Sequence, residues 1–321
     1  MLIRTADEEW LWNLGRPLYL FANQSRRHPY HEHSVVRSAA AAIVSHLSYC
    51  VIDEEERRNV SRATIIPSFT FQLIMRNDLS IDIFSILRAM DFPDPIIVRT
   101  KNFVALGLLA NSELFVGVRG TVGAYDWLIN LSCWPRASKI LDLPTYFHGG
   151  FLSEAEALVD VLRQEISTRR ARVDKIIYAG HSLGGAIAAI LHQARSTVAE
   201  GSPIDGDSYI FGAPRTAWRF AGDFIAQPFA ARRAEDVVPR VPPSLMGFES
   251  FRDQRDLSGE AYTDRGLIDL RPFLIWLDAM AFSKFIEGHS VENYRDEAIK
   301  TASQHPDVSR YIQQNLLYFC R

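Results

Sequence analysis

Cysteine is scarce: Cys50, Cys133 and Cys320 are the only three in 321 residues, an odd number without metal-ligand spacing. A disulfide framework is therefore not expected, and free thiols in a reducing compartment are the plain reading. No apolar run approaches the roughly 18 consecutive residues that a membrane-spanning helix requires. Charge of one sign is missing as well. The formal net charge is −3 with no long basic or acidic block, which removes nucleic acid as an expected partner. The N-terminus lacks the order of a secretory leader, because the apolar stretch from Trp10 to Phe21 follows Asp7, Glu8 and Glu9 and contains Arg16 and Pro17. Export leaders place positive charge ahead of an unbroken apolar run. The expected location is cytoplasmic, or outside the cell by a route that needs no recognisable signal. Internal repeats, low-complexity tracts and linkers are missing too, so one folding unit is expected.

What is present is an ordinary globular composition, 47% hydrophobic and 23% charged, in a chain long enough to bury a sizeable core. Residues 32–49 are Ala-rich with apolar positions at helical spacing, and 79–90 repeat that spacing, so a helical N-terminal segment over 1–92 is expected. After Pro93 and Pro95 the texture becomes β. Phe103 to Leu109, a turn at Asn111-Ser112, and Leu114 to Val118 predict an antiparallel hairpin. Beyond it come a helix near 152–169, a strand 175–179, a helix 185–195, and strands at 207–211 and near 228–233. This alternation predicts an α/β fold with a mostly parallel central sheet and helices on both faces. The core of that fold is expected over 96–295, with a C-terminal segment at 296–321.

The most specific run is Gly180-His181-Ser182-Leu183-Gly184. It fits the nucleophile elbow, in which a serine sits on a strained strand-to-helix turn. The flanks agree, with an apolar β-type run at 175–179 before it and an Ala-rich helical pattern after it. Glycines at 180 and 184 leave room for the turn, and the helix start points partial positive charge at an anion developing on a carbonyl attacked by Ser182. The backbone N–H of Leu183 would serve as one oxyanion donor.

The chain resembles the class 3 lipases, an α/β-hydrolase family of triacylglycerol lipases and related esterases, and the likeness extends well beyond the elbow. Arg119-Gly120-Thr121 with Asp126-Trp127-Leu128 is similar to the family's oxyanion loop, and His148-Gly149-Gly150-Phe151 to its next segment. Phe211-Gly212-Ala213-Pro214-Arg215 is similar to the strand end after the elbow helix, and Glu235-Asp236 through Pro243 to the acid loop. The resemblance spans roughly residues 100–295. It implies that Thr121 supplies the second oxyanion donor, with Asp126 placed to orient it.

A serine hydroxyl becomes a nucleophile only when a histidine takes its proton and a carboxylate steadies that histidine. On this fold the order is Ser, acid, His. Asp236 is the expected acid, since it follows a β-like run and opens a Pro-rich loop where such folds build their sites, and the resemblance points to it too. Glu235 is its local rival, which strand alternation would aim away. His289 is the expected base, lying after Asp236 in a run that resembles the family's histidine followed by a tyrosine. His181 is bonded to the serine itself, His192 lies down the helix, His305 sits in a polar segment, and His148 is expected beside the site rather than in it. The early cluster His28, His31, Glu32 and His33 lacks a spaced partner motif and reads as a solvated loop, so neither metal nor cofactor is expected.

The expected activity is hydrolysis of carboxylic esters through an acyl-enzyme on Ser182, with lipids or acylglycerols as substrates. Phospholipase activity, as in an exported toxin, and a non-catalytic hydrolase-like interaction protein are the alternatives. Trp127, Leu131 and Trp134 share a helical stripe, and 267–286 is rich in apolar and aromatic residues between acid and base. Either segment fits a lid that meets lipid transiently, and the stripe fits a core-facing helix equally well.

Overall fold

The computed structural model describes residues 6–51, 83–100, 102–120, 134–138, 145–169, 172–194, 204–218, 226–261 and 288–314. Seven strands form the central sheet: β1 (Ile96–Arg99), β2 (Val104–Ala110), β3 (Glu113–Val118), β6 (Lys175–His181), β7 (Asp205–Phe211), β9 (Phe229–Ala231) and β11 (Gln254–Arg255), adjacent in that order. The first three pair antiparallel and the remainder parallel. The predicted hairpin is β2–β3, in register Ala110↔Glu113. Asn111 and Ser112 form its two-residue turn with φ of 49° and 71°, the left-handed backbone that tight hairpins need.

Helices cover both faces, as the alternation predicts. On one side α1 (Ala6–Ser25), α2 (Val35–Ser48), α3 (Ile83–Ala89) and α6 (Val291–Ser303) pack over Leu106, Leu108, Phe115, Ile177, Tyr209 and Phe211. On the other, α4 (Gly149–Ser167) and α5 (Leu183–Gln193) pack over Leu114, Val116, Ile176, Tyr178 and Ile210. The two cores take alternate residues of the same strands, as a two-sided sheet requires. A last helix, α7 (Pro306–Gln314), follows α6 directly.

Sequence boundaries shift by a few residues. The helix expected from 152 starts at Gly149, because two glycines are poor helix formers and conceal its first turn. The strand expected near 228–233 shortens to Phe229–Ala231, and the helix expected from 79 is described from Ile83. A second sheet had no visible periodicity. It joins β10 (Phe248–Glu249), β8 (Ala217–Trp218), β5 (Tyr146–His148) and β4 (Pro135–Ala137), strands of two or three residues too short to display alternation. Among the described residues no helix is long and apolar enough to cross a membrane.

Candidate active site

The site grows from the carboxyl ends of the parallel strands, where open α/β sheets bind ligands. Strand β6 ends at His181, Ser182 turns, and α5 begins at Leu183. Ser182 has φ 58° and ψ −130°, a left-handed backbone that costs a non-glycine residue on the order of 1–3 kcal/mol. Its neighbours hold it there. The Ser182 N–H donates to Phe211 O at 2.9 Å, and a Cβ on Gly184 would stand 2.1 Å from Val118 O. Only glycine lets the elbow press this closely on β3. Leu183 opens α5, so its N–H has no partner within the helix and is available to an oxyanion.

Beside the elbow, the end of β3 brings Gly120 against the serine: a Cβ there would meet Ser182 Cβ at 3.5 Å. Thr121 and Asp126 follow immediately and lie outside the described residues, as do Trp127, Leu131 and the 267–286 insertion. Trp134, the last residue of the expected stripe, is 81% exposed, so it is not a core residue.

Asp236 and His289 meet 53 positions apart. Asp236 is fully buried, and its Oδ2 lies 2.7 Å from His289 Nδ1. The same oxygen accepts from the Tyr294 hydroxyl at 2.6 Å, and Oδ1 accepts from the Val238 N–H at 2.9 Å. The carboxylate is thus held by three donors. Its rival Glu235 is exposed, though not by strand alternation: both residues lie past the end of β9, in a turn where the Asp236 N–H donates to Arg233 O. Gly212, at the end of β7, has φ +57°, and a Cβ there would stand 2.6 Å from Asp236 Oδ2 and 3.0 Å from His289. Since Gly212 directly follows the residue whose carbonyl holds Ser182, serine, acid and histidine share one end of the sheet. His289 Nε2, the nitrogen opposite the carboxylate, is buried with no hydrogen-bond partner among the described residues.

Three further side chains frame this group. Burial, reinforced by the Asp236 charge, pushes the Tyr294 hydroxyl well above its ordinary range, so it stays a donor. The His181 ring stands 4.5 Å from that of His289, with Tyr49 Oη 3.1 Å from its Nδ1. Burial and then His289 drive His181 well below the ordinary imidazole range, keeping it neutral. Of the other histidines, His148 stacks between Phe151 and Phe248, and His192 Nε2 lies 3.2 Å from Gly206 O. Sequence reasoning assigned no role to Tyr49 or Tyr294. The tyrosine after the histidine in the resemblance was the available signal for Tyr294; Tyr49 carried none, because its contact lies 132 positions away.

Residues 115–246 match the family described as lipase (class 3). This segment is similar to the class 3 lipases. It contains Ser182 and Asp236, while His289 lies past its end. A secreted mono- and diacylglycerol lipase 1 of Fusarium solani is 30% identical over 166 residues, covering 50% of this chain and 46% of that protein. The chain thus spans about half the length of this curated relative. Among solved structures, a mutant form of MDLA from Penicillium cyclopium superposes with a TM-score of 0.50 at 15% identity, covering 78% of this chain and 91% of the other. Lipase II from Rhizopus niveus gives 0.45 at 21% identity, covering 67% and 77%. The fold of the chain is that of an α/β-hydrolase.

Proposed function

We propose that the protein is a serine carboxylic ester hydrolase whose substrates are lipid esters of the acylglycerol type. The observation that carries the reading is the buried Asp236–His289 pair at 2.7 Å, at the same end of the sheet as a serine in strained backbone. In this reading His289 Nε2 takes the Ser182 proton while Oγ attacks the ester carbonyl, and Asp236 fixes the Nδ1–H tautomer and stabilises the imidazolium. The oxyanion is met by the Leu183 N–H and by Thr121. The imidazolium then protonates the leaving alcohol, and water repeats the sequence to release the acid. No step needs a cofactor.

The lipid part of the proposal rests on a surface. Tyr146 and Trp218 stand with ring centroids 5.7 Å apart, and Trp218 Nε1 donates to Met246 O. Tyr146, Leu245 and Met246 in this patch are 47%, 73% and 48% exposed. Exposed aromatic and long aliphatic side chains gathered on one surface favour an interface over bulk water. The Fusarium relative is named as a mono- and diacylglycerol lipase, which favours acylglycerols and an extracellular setting over phospholipids. A fluorophosphonate should label the wild type and not Ser182→Ala. Assayed against p-nitrophenyl esters, acylglycerols and phospholipids side by side, the protein should turn over acylglycerols fastest. A folded sample that takes no label overturns the enzyme reading, and preference for phospholipid replaces the substrate class.

A further inference from the structure

We infer that His28, His305 and Asp307 form a binding site for one divalent transition-metal ion, zinc being the best fit, which ties the N-terminal helical layer to the C-terminal helices. The three offer one ligand atom each, all within 4.8 Å of one another. His28 lies in the turn that closes α1, and His305 and Asp307 lie where α6 passes into α7. The site stands apart from the ester chemistry: His289 precedes α6 and His305 follows it, so the thirteen-residue helix separates them by roughly 20 Å.

The orientation of the donors points to a ligand. His28 Nε2 and His305 Nδ1 are both buried atoms without a hydrogen-bond partner, although their rings stand only 5.1 Å apart. Asp307 Oδ2 lies 3.9 Å from His305 Nδ1, too far for a hydrogen bond. Three donors converging without bonding one another leave a space between them. Tetrahedral zinc, with ligands at about 2.0–2.2 Å, sets its ligand atoms about 3.3 Å apart. A combined side-chain movement of at most about 1.5 Å would close the spacing of up to 4.8 Å to that value. Two imidazoles and one carboxylate suit zinc in ligand type. The Arg37 guanidinium opposes a second cation nearby, but Asp207 at 2.9 Å offsets its charge.

The backbone under these side chains is fixed. The His28 N–H donates to Ser25 O, and its carbonyl accepts from Arg37 Nη2 at 2.8 Å. The His305 N–H donates to Ala302 O, and its carbonyl accepts from the Ser309 N–H. A metal here would thus find two anchored ligands and a third from the first turn of α7. The fourth position is left to water.

Calorimetric titration of the full, EDTA-treated chain with zinc chloride should give one site per chain with micromolar or tighter affinity. His28→Ala and Asp307→Asn should each weaken it at least about tenfold, and zinc should raise the Tm of the wild type alone. Cobalt added to the wild type should show the intense visible absorption of tetrahedral coordination, so the site remains testable if a variant fails to fold. Absence of saturable zinc binding, or binding unchanged in both variants, overturns the inference.

Discussion

The two ends of the parallel sheet bury polar residues for opposite purposes. At the carboxyl ends, Ser182, Asp236 and His289 are gathered by turns, and one buried nitrogen of His289 lacks a partner. Near the amino ends of β3, β6 and β7 the charges are answered. Glu113 of β3 accepts from Ser25 and Tyr30, Lys175 of β6 pairs with Asp205 at 2.7 Å, and Asp207 of β7 pairs with Arg37 at 2.9 Å. The partners outside the sheet belong to α2 and to the end of α1 with its following turn. One end is left with a buried histidine nitrogen open to a further partner, and at the other the charged pairs fasten the N-terminal layer in place. Buried polar side chains whose hydrogen-bonding capacity is used up dock one layer on another, and those with capacity left over are open to a further partner.

The sharpest division between the ends is expected from His289→Ala. Turnover of a dissolved ester should fall on the order of 10⁴- to 10⁶-fold, and Ser182→Ala together with His289→Ala should be scarcely worse than either alone. Near-normal kcat in His289→Ala, measured beside a Ser182→Ala blank, would detach the Asp236–His289 pair from the chemistry and make the carboxyl end a second structural weld.

These two ends were unequally legible in the sequence. The elbow could be read because its geometry is local: a strained serine needs glycines two residues either side, a strand before and a helix after, all within about twenty positions. The β2–β3 hairpin and the strands β6 and β7 with the helices between them followed from the alternation of periods. Asp236 and His289 came from chain order and resemblance. Nothing local, by contrast, predicts that Arg37 meets Asp207 across 170 positions or that Ser25 and Tyr30 meet Glu113. A charged residue in an Ala-rich helix ordinarily marks its solvated face, yet Arg37 is fully buried. The early histidine cluster shows the same limit. Read as one loop, it divides in space, with His31 beside Asp205 and Asp207, His33 against Tyr209 and Phe229, and His28 facing His305.

At the amino end the expected loss is in stability. Arg37 donates to the carbonyls of Ser25, His28 and Pro29 as well as to Asp207. Arg37→Met leaves the Asp207 carboxylate buried and short of a cation, which should cost about 3–5 kcal/mol. Adding Asp207→Leu should restore part of that loss, because the orphaned charge goes with it. Urea unfolding of the two variants decides the matter: a loss under about 1 kcal/mol for Arg37→Met, against the range expected for a broken buried pair, would mean that the N-terminal layer is held by its apolar face alone.

The smallest effect separates a buried polar group that is paired from one that is not. His148 is fully buried between Phe151 and Phe248, and neither ring nitrogen has a hydrogen-bond partner among the described residues. Burial lowers its pKa from 6.5 to about 4. Between those values the unfolded chain binds a proton that the folded chain refuses, so this contribution to stability is whole above pH 6.5 and is lost as pH falls toward 4. The full difference is about 3 kcal/mol at 1.36 kcal/mol per unit. His33, lowered to about 4 by its own burial, adds a slope of the same sign, so the wild type alone cannot isolate the effect. His148→Phe keeps the stacked aromatic ring and removes the titration. Unfolding free energies at pH 7.5 and pH 4.5 should therefore diverge less in the variant than in the wild type, by about 2–3 kcal/mol on the same linkage. Equal slopes in the two proteins would mean that His148 takes up its proton in the folded state, through a partner that its apolar surroundings do not supply.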